Sequence, residues 1–135
     1  MKISLKRQLS TSIDPKGLII AFSIILLWFI SLIFLLNLQV DYSNPLLYLG
    51  LFVQMHLYTG LFITAHDAMH GVVTRNKRLN HFIGGFAAML FSFNFYWKLF
   101  PNHHKHHMHV ATADDPDYHS SGKFIPWYLS FLLSY

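Results

Sequence analysis

The chain lacks cysteine and glutamate, and it carries few charged residues of either sign. Without cysteine it has no disulfide, no zinc–thiolate or iron–sulfur ligand and no cysteine nucleophile. Charged residues make up 12% of its 135 positions, about half the share of a typical soluble domain. A hydrophobic fraction of 53% also excludes a disordered chain. The composition therefore favours a membrane protein, in which imidazole must supply most of the ligands for any metal.

Two apolar runs are long enough to cross a bilayer. They cover residues 18–36 and 45–65, and Pro45 suits the start of the second helix. A cleaved signal peptide is the alternative for the first run, but the run is too long and no small-residue cleavage site follows it. A short polar turn separates the two runs, so together they predict a transmembrane hairpin over about residues 18–65.

The basic residues form short clusters rather than a continuous stripe, so nucleic-acid binding is not expected. One cluster precedes the first run, another follows the second run, and the turn between the runs has no lysine or arginine. The clusters consist of Lys2, Lys6, Arg7 and Lys16, and of Arg75, Lys77 and Arg78. The positive-inside rule then places the N-terminus and the second cluster in the cytoplasm, with the chain in the cytoplasmic (inner) membrane.

Two further apolar segments do not fit simple crossings. Residues 82–100 contain a glycine pair, Asn94 and Lys98, and end in an aromatic-rich stretch stopped by Pro101. This pattern favours an interrupted or interfacial segment. Residues 124–135 are too few to cross a bilayer, so we expect them to begin a further membrane segment of an incomplete chain.

Ten residues are histidine, and most of them fall in two groups with metal-ligand spacing. His66 and His70 are four residues apart, so a helix presents both on one face. His103, His106 and His107 have the spacing i, i+3, i+4, which again defines one helical face. The order and spacing of the two groups predict a shared metal site.

The ligand chemistry narrows the choice of metal. Nitrogen ligands without thiolate suit zinc, copper, iron or nickel, and five histidines exceed the need of one tetrahedral zinc. Two metals are therefore favoured, and iron suits O₂ chemistry on an apolar substrate. Both groups must face the same membrane side, so residues 82–100 should not span the bilayer. A patch that binds stray metal or responds to pH is the alternative interpretation.

Beyond their spacing, these motifs resemble the membrane fatty acid desaturase and hydroxylase superfamily. Residues 58–71, 78–84 and 115–119, with the histidine group from His103, are similar to bacterial-type β-carotene ketolases. The resemblance implies one all-α, multi-pass membrane domain over residues 1–135 with a cytoplasmic-side non-haem di-iron site. The positions that match metal ligands are His66, His70, His103, His106 and His107.

The sequence departs from the family pattern in two respects. A third histidine group, expected in the C-terminal half of the family, is not reached before Tyr135. His104 and His109 stand where other residues are usual, which leaves the register of ligands in the second group open.

The resemblance also implies a reaction. Members of this family convert ring carbon 4 of β-carotene to a ketone, with two irons, O₂ as co-substrate and an external, ferredoxin-type electron donor. The alternatives are a fatty acid desaturase or a carotenoid hydroxylase of the same superfamily and, in a different class, a non-catalytic membrane protein that binds metal. Substrate and membrane lipids are the other expected partners.

Ligating imidazoles usually need hydrogen-bond partners that orient them. The candidates for this role, each of which equally suits a helix cap or a turn, are Asp67, Asn80, Asp115 and Asp117. Four aromatic residues near the end of the interrupted segment suit either a substrate opening or an ordinary interfacial belt. They are Phe93, Phe95, Tyr96 and Trp97.

Overall fold

A computed structural model describes residues 15–93 and 95–134, with side-chain surroundings given as far as residue 130. Within these residues the regular structure is helical, which confirms the predicted all-α class. The helices are α1 (Lys16–Asn37), α2 (Pro45–Met69), α3 (Lys77–Ser92), α4 (Tyr96–His109) and α5 (Phe124–Ser134). Lys2, Lys6, Arg7 and Asn94, which the sequence argument used, lie outside the described residues.

Helices α1 and α2 are both long and apolar enough to cross a membrane. Their most apolar stretches have mean hydropathies of 3.0 and 1.6. Only 17% and 11% of these stretches are buried within the molecule, so they do not form the core of a soluble protein. Their exposed apolar side chains need lipid or other protein around them, because water solvates them poorly.

The turn between α1 and α2 is closed by polar side chains. Asn44 accepts a hydrogen bond from the backbone N–H of Leu46 at 3.0 Å, and Pro45 occupies the first helical position. Asp41 accepts from the backbone N–H and the hydroxyl of Ser43. These bonds satisfy polar groups that the start of α2 would otherwise leave unpaired.

Helix α3 runs antiparallel to α2 and packs tightly against it. Its first turn contacts the end of α2 through Asn80 and Ala68, and Phe91 near its end contacts Phe62. Small residues allow this approach: a Cβ built on Gly84 would lie 2.5 Å from the Ala68 Cβ. The α2–α3 contact therefore fixes the end of α2, where the first histidine pair lies.

The apolar stretch 82–100 is divided between α3 and α4. The break falls at Phe93, whose φ of 55° is left-handed and whose N–H bonds to the Met89 carbonyl. Helix α4 then begins at Tyr96 and continues through Pro101, so this proline does not end the helix as the sequence argument expected. Pro101 is the sixth residue of α4, where it lacks the N–H that would bond to the Trp97 carbonyl and its ring crowds that turn, yet the helix continues past it.

Candidate metal centre

The two predicted histidine groups lie on two helices that meet. His66 lies in the last turn of α2, and His70 caps its C-terminus. His103 and His107 lie four residues apart on α4, and Tyr96 at the start of α4 packs against Gly84 of α3. The α2–α3–α4 packing therefore brings residues 33 positions apart in sequence into contact.

Four imidazoles converge at this point. The ligand atoms of His66, His70, His103 and His107 all lie within 4.8 Å of one another. The Nε2 atoms of His103 and His70 are 2.9 Å apart, and the ring centroids of His66 and His103 are 4.6 Å apart. Four convergent nitrogen donors suit a borderline divalent ion such as iron, zinc, copper or nickel. The donor set therefore fits a metal, and we name these residues the four-histidine cluster.

The surroundings of the cluster favour uncharged imidazole. Burial, followed by the neighbouring His66, His107 and other imidazoles, lowers the pKa of His103 to about 4. Burial and the same kind of neighbours also lower the pKa of His70. Neutral imidazole is the form that binds a metal ion, so this part of the cluster is ready to act as a ligand at neutral pH.

His106 is not brought into the four-histidine cluster. Its Nδ1 lies 2.9 Å from Asp115 Oδ1 and 3.4 Å from Asp117 Oδ2, and these three side chains form a second group of potential ligand atoms. The reason is rotation about α4: His103 and His107 share a face, and the i+3 position of His106 lies at its edge. With Nδ1 bound to the carboxylates, the Nε2 of His106 keeps its lone pair for a ligand role.

Asp115 is the best-anchored of the four candidate orienting residues. Its side chain is 3% exposed, and its other oxygen accepts from the backbone N–H of Ala111 at 2.8 Å. Burial alone would raise the pKa of Asp115, but hydrogen bonds from Asp117 N–H, His106 and Ala111 N–H lower it. The carboxylate of Asp115 is therefore charged. Its hydrogen bond with His106 raises the pKa of the His106 imidazole.

The other candidate orienting residues behave differently. Asp117 is the second carboxylate near His106, whereas Asp67 lies 3.7 Å from the Nδ1 of His66. The hydrogen bonds of Asn80 go to the backbone: its amide NH₂ donates to the Ala68 carbonyl at 2.6 Å, and its amide oxygen accepts from the Thr74 N–H. Both amide groups are used on backbone, so Asn80 positions the end of α2 rather than a ligand.

Two additional histidines of the second group lie outside the four-histidine cluster. The Nδ1 of His104 lies 3.0 Å from the Phe100 carbonyl, one turn back along α4. The main-chain carbonyl of His109 accepts from Thr112 at the end of α4. Within the described residues, the cluster on α4 is therefore formed by His103 and His107.

A cavity of about 340 Å³ with a mixed polar and apolar lining lies beside His70. Its walls include Thr74, Arg75, Lys77 and His81. The sequence argument did not single out His81, whose Nδ1 lies 3.1 Å from the Tyr96 hydroxyl. His81 falls within the family-like stretch 78–84, but the sequence gives it no role, because its partner Tyr96 comes from the packing of α4 on α3.

The aromatic residues near the break in the segment 82–100 divide into two kinds. Tyr96 is buried in the contact between α3 and α4. Phe93, Phe95 and Trp97 are largely exposed. The exposed three suit an interfacial belt, and Tyr96 acts in the core.

The described residues form helices, and two of these helices, α1 and α2, are long enough to cross a membrane. Imidazoles converge at the end of α2. These features define a helical membrane protein with a candidate metal centre. Residues 43–135 match the fatty acid desaturase family, and the chain belongs to that family. The membership predicted from the histidine motifs is thereby confirmed. No solved structure matches the chain significantly.

Within the fatty acid desaturase family, the chain is similar to curated proteins that are named carotenoid ketolases. A β-carotene 4-ketolase of Protosiphon botryoides is 42% identical over 96 residues, 69% of this chain and 25% of the relative. A zeaxanthin 4-ketolase of Chlamydomonas reinhardtii is 38% identical over 113 residues, 81% of this chain and 26% of the relative. A β-carotene ketolase of Paracoccus sp. (strain PC1) is 42% identical over 116 residues, 84% of this chain and 47% of the relative.

The predicted similarity to carotenoid ketolases is confirmed by these matches, which include bacterial and algal proteins. The chain spans between a quarter and about half of the length of these relatives. The part of the chain that matches the family, residues 43–135, contains both histidine groups described above.

Proposed function

We propose that this chain carries the metal-binding histidines of a carotenoid 4-ketolase, an O₂-dependent membrane oxygenase that forms a ketone at carbon 4 of the β-ionone rings of β-carotene. The observation that carries the proposal is the convergence of His66, His70, His103 and His107 in a chain similar to named ketolases. The products would be echinenone and then canthaxanthin.

The four-histidine cluster, together with the Nε2 of His106, would hold two non-haem irons. Bound iron would supply O₂ activation that no side chain of this chain can provide. The protein contributes the imidazoles at the end of α2 and on α4, of which those of His70 and His103 have lowered pKa values that favour the neutral form. It also contributes the Asp115 carboxylate, which lies 2.9 Å from the Nδ1 of His106 and would orient this ring so that Nε2 is the nitrogen available to a metal.

The substrate chemistry fits a site at a membrane boundary. Carbon 4 is allylic, so its C–H bonds are weaker than those of an ordinary alkane. One round of oxidation inserts an oxygen atom to give an alcohol, and a second round on the same carbon gives a gem-diol that loses water to leave the ketone. Each round consumes one O₂, two electrons and two protons and releases one water, so an external ferredoxin-type donor is required.

The orientation we propose places the N-terminus and the histidines at the cytoplasmic face, with the chain crossing the inner membrane more than once. The support is the basic cluster of Arg75, Lys77 and Arg78, which directly follows α2 and the histidine pair at its end. The turn between α1 and α2 carries Asp41 and no basic residue, as expected for the opposite face.

The test is expression of the full-length gene in bacteria that make β-carotene, with pigments separated by liquid chromatography. We expect echinenone and canthaxanthin from the wild type and their loss in His66→Ala and His103→Ala. His104→Ala is the matched control within the same histidine group, because His104 faces a backbone carbonyl.

Other products would assign the chain to a different activity. Hydroxylated carotenoids without ketones would indicate a carotenoid hydroxylase, and altered acyl chains with unchanged β-carotene would indicate a fatty acid desaturase. Ketone formation that survives both His66→Ala and His103→Ala would show that the four-histidine cluster is not the reaction site.

A further inference from the structure

Three aromatic side chains form a continuous row that leads to the four-histidine cluster. Phe62 and Tyr58 lie on α2 about one and two turns before His66, so the three residues share one face of the helix. Phe91 of α3 closes the gap between the two rings of α2. Its ring centroid lies 4.6 Å from that of Tyr58 and 5.3 Å from that of Phe62.

The row reaches the candidate metal ligand itself. The centroids of Phe62 and His66 are 6.4 Å apart, and Tyr58 to His66 spans about 12 Å of helix at about 1.5 Å per residue. Phe62 is 50% exposed and Tyr58 is 38% exposed, so part of each ring remains open to the surroundings of α2. The exposed part of the row therefore lies on Tyr58 and Phe62, and Phe91 supports them from α3.

The cavity beside His70 does not offer an equivalent path. Apolar residues such as Met69 and Phe100 line part of it, but Arg75 and Lys77 also line it, and burying an apolar polyene against these two charged groups would cost them their water without offering hydrogen bonds in return. The aromatic row carries no charged group, and it lies on a helix apolar enough to cross the membrane. An apolar substrate dissolved in lipid therefore reaches the imidazoles most readily along this row.

We propose that Tyr58, Phe62 and Phe91 form a rail for the first stretch of the carotenoid's conjugated chain, about 12 Å next to the ring that lies at His66. The proposal deepens the proposed function and rests on it, since it assigns substrate-binding residues to that same site. Offset contacts between the polyene and the ring faces would set the position of carbon 4 relative to the imidazoles. Phe62 is the central residue, because it touches both Phe91 and the His66 side.

The test compares Phe62→Ala with Phe52→Ala in the purified full-length protein in lipid nanodiscs. Phe52 is a matched control: it lies on the same helix, is 57% exposed and is about 21 Å from His66 along α2 at about 1.5 Å per residue. The probe is β-carotene itself. The readouts are its dissociation constant, from the shift of its visible absorbance on binding, and the bound iron per chain.

We expect Phe62→Ala to weaken β-carotene binding about three- to tenfold, the range expected from losing aromatic contacts. Its iron content should equal that of the wild type, and Phe52→Ala should bind normally. In turnover assays Phe62→Ala should raise KM for β-carotene more than it lowers kcat, and Phe62→Trp should recover most of the binding. A variant that merely loosened the fold would lose iron and would not be rescued by tryptophan.

Equal affinity in Phe62→Ala and the wild type, or an equal loss in Phe62→Ala and Phe52→Ala, would overturn the rail. The binding assay requires no turnover. It therefore tests the substrate-binding role of the row independently of the proposed ketolase reaction. A wild type that makes ketocarotenoid without any dependence on Phe62 contradicts the rail alone. A wild type that binds β-carotene through Phe62 but makes no ketone contradicts the proposed reaction alone.

Discussion

Asp115 links an imidazole to the loop that follows α4. One of its oxygens accepts from His106 and from the Asp117 N–H, and the other accepts from the Ala111 N–H. Ala111 has a left-handed φ of 59°, a conformation that costs energy outside glycine. The buried carboxylate thus stabilises a strained turn while it orients the ring of His106.

We expect Asp115→Asn to lower iron affinity about tenfold or more, the effect typical of losing a carboxylate that orients a ligating imidazole. The asparagine oxygen can still accept from backbone N–H groups, but the Nδ1 of His106 loses the nearer of its two charged partners, at 2.9 Å, and keeps Asp117 at 3.4 Å. The measurement is competition of the bound iron with a chelator. Asp114→Asn is the control because Asp114 is the exposed neighbour; equal affinities in the two variants would contradict a role for Asp115.

At this scale the sequence predicts helical registers but not side-chain partners. The i, i+4 spacing is sufficient to place His66 with His70 and His103 with His107, since helix geometry alone determines it. Two contacts depend instead on loops and on packing. One is the hydrogen bond between His106 and Asp115, and the other is the bond that Asn80 donates to the Ala68 carbonyl. No local pattern in the sequence encodes those contacts.

At the scale of the helices, Gly84 allows α2, α3 and α4 to pack closely, because it has no side chain. A Cβ on Gly84 would lie 2.5 Å from the Ala68 Cβ and 2.6 Å from Cε2 of Tyr96. A Cβ on its neighbour Gly85 would meet the Tyr96 Cβ at 3.8 Å, an ordinary contact. The first position is therefore required by packing, and the second is not.

Gly84→Ala should destabilise the protein by about 1–3 kcal/mol, because overpacking forces neighbouring helices apart. Gly85→Ala should be neutral or stabilising by about 0.5–1 kcal/mol, since alanine favours the helix interior. Thermal unfolding in detergent, followed by circular dichroism, measures both changes. Equal midpoints for the two variants would show that the close α2–α3 approach is not needed.

The helices themselves were largely predictable. Hydropathy and length were enough to mark α1 and α2. The glycine pair and polar residues indicated an interruption of residues 82–100, but the left-handed break at Phe93 carries no glycine signal. Pro101 was misleading, because α4 continues through it although proline at an interior helix position removes a backbone hydrogen bond.

For the whole molecule, the proposed topology makes a prediction that can be tested with single cysteines, because residues 1–135 contain none; any cysteine elsewhere in the full-length protein is first replaced by serine. Tyr42→Cys places a single thiol in the α1–α2 turn, and Lys77→Cys places one at the start of α3. In intact cells a membrane-impermeant maleimide should label the first variant only, and permeabilised cells should label both. The reverse pattern would put the histidines on the outer face.

The central claim is that His66, His70, His103 and His107 hold metal together, and iron stoichiometry tests it most directly. The full-length protein is loaded with ferrous iron without oxygen, desalted, and measured for iron per chain. We predict two irons for the wild type, a loss of iron in His70→Ala and in His103→Ala, and wild-type iron in His104→Ala. Unchanged iron in His70→Ala and His103→Ala, or an equal loss in His104→Ala, would contradict this account.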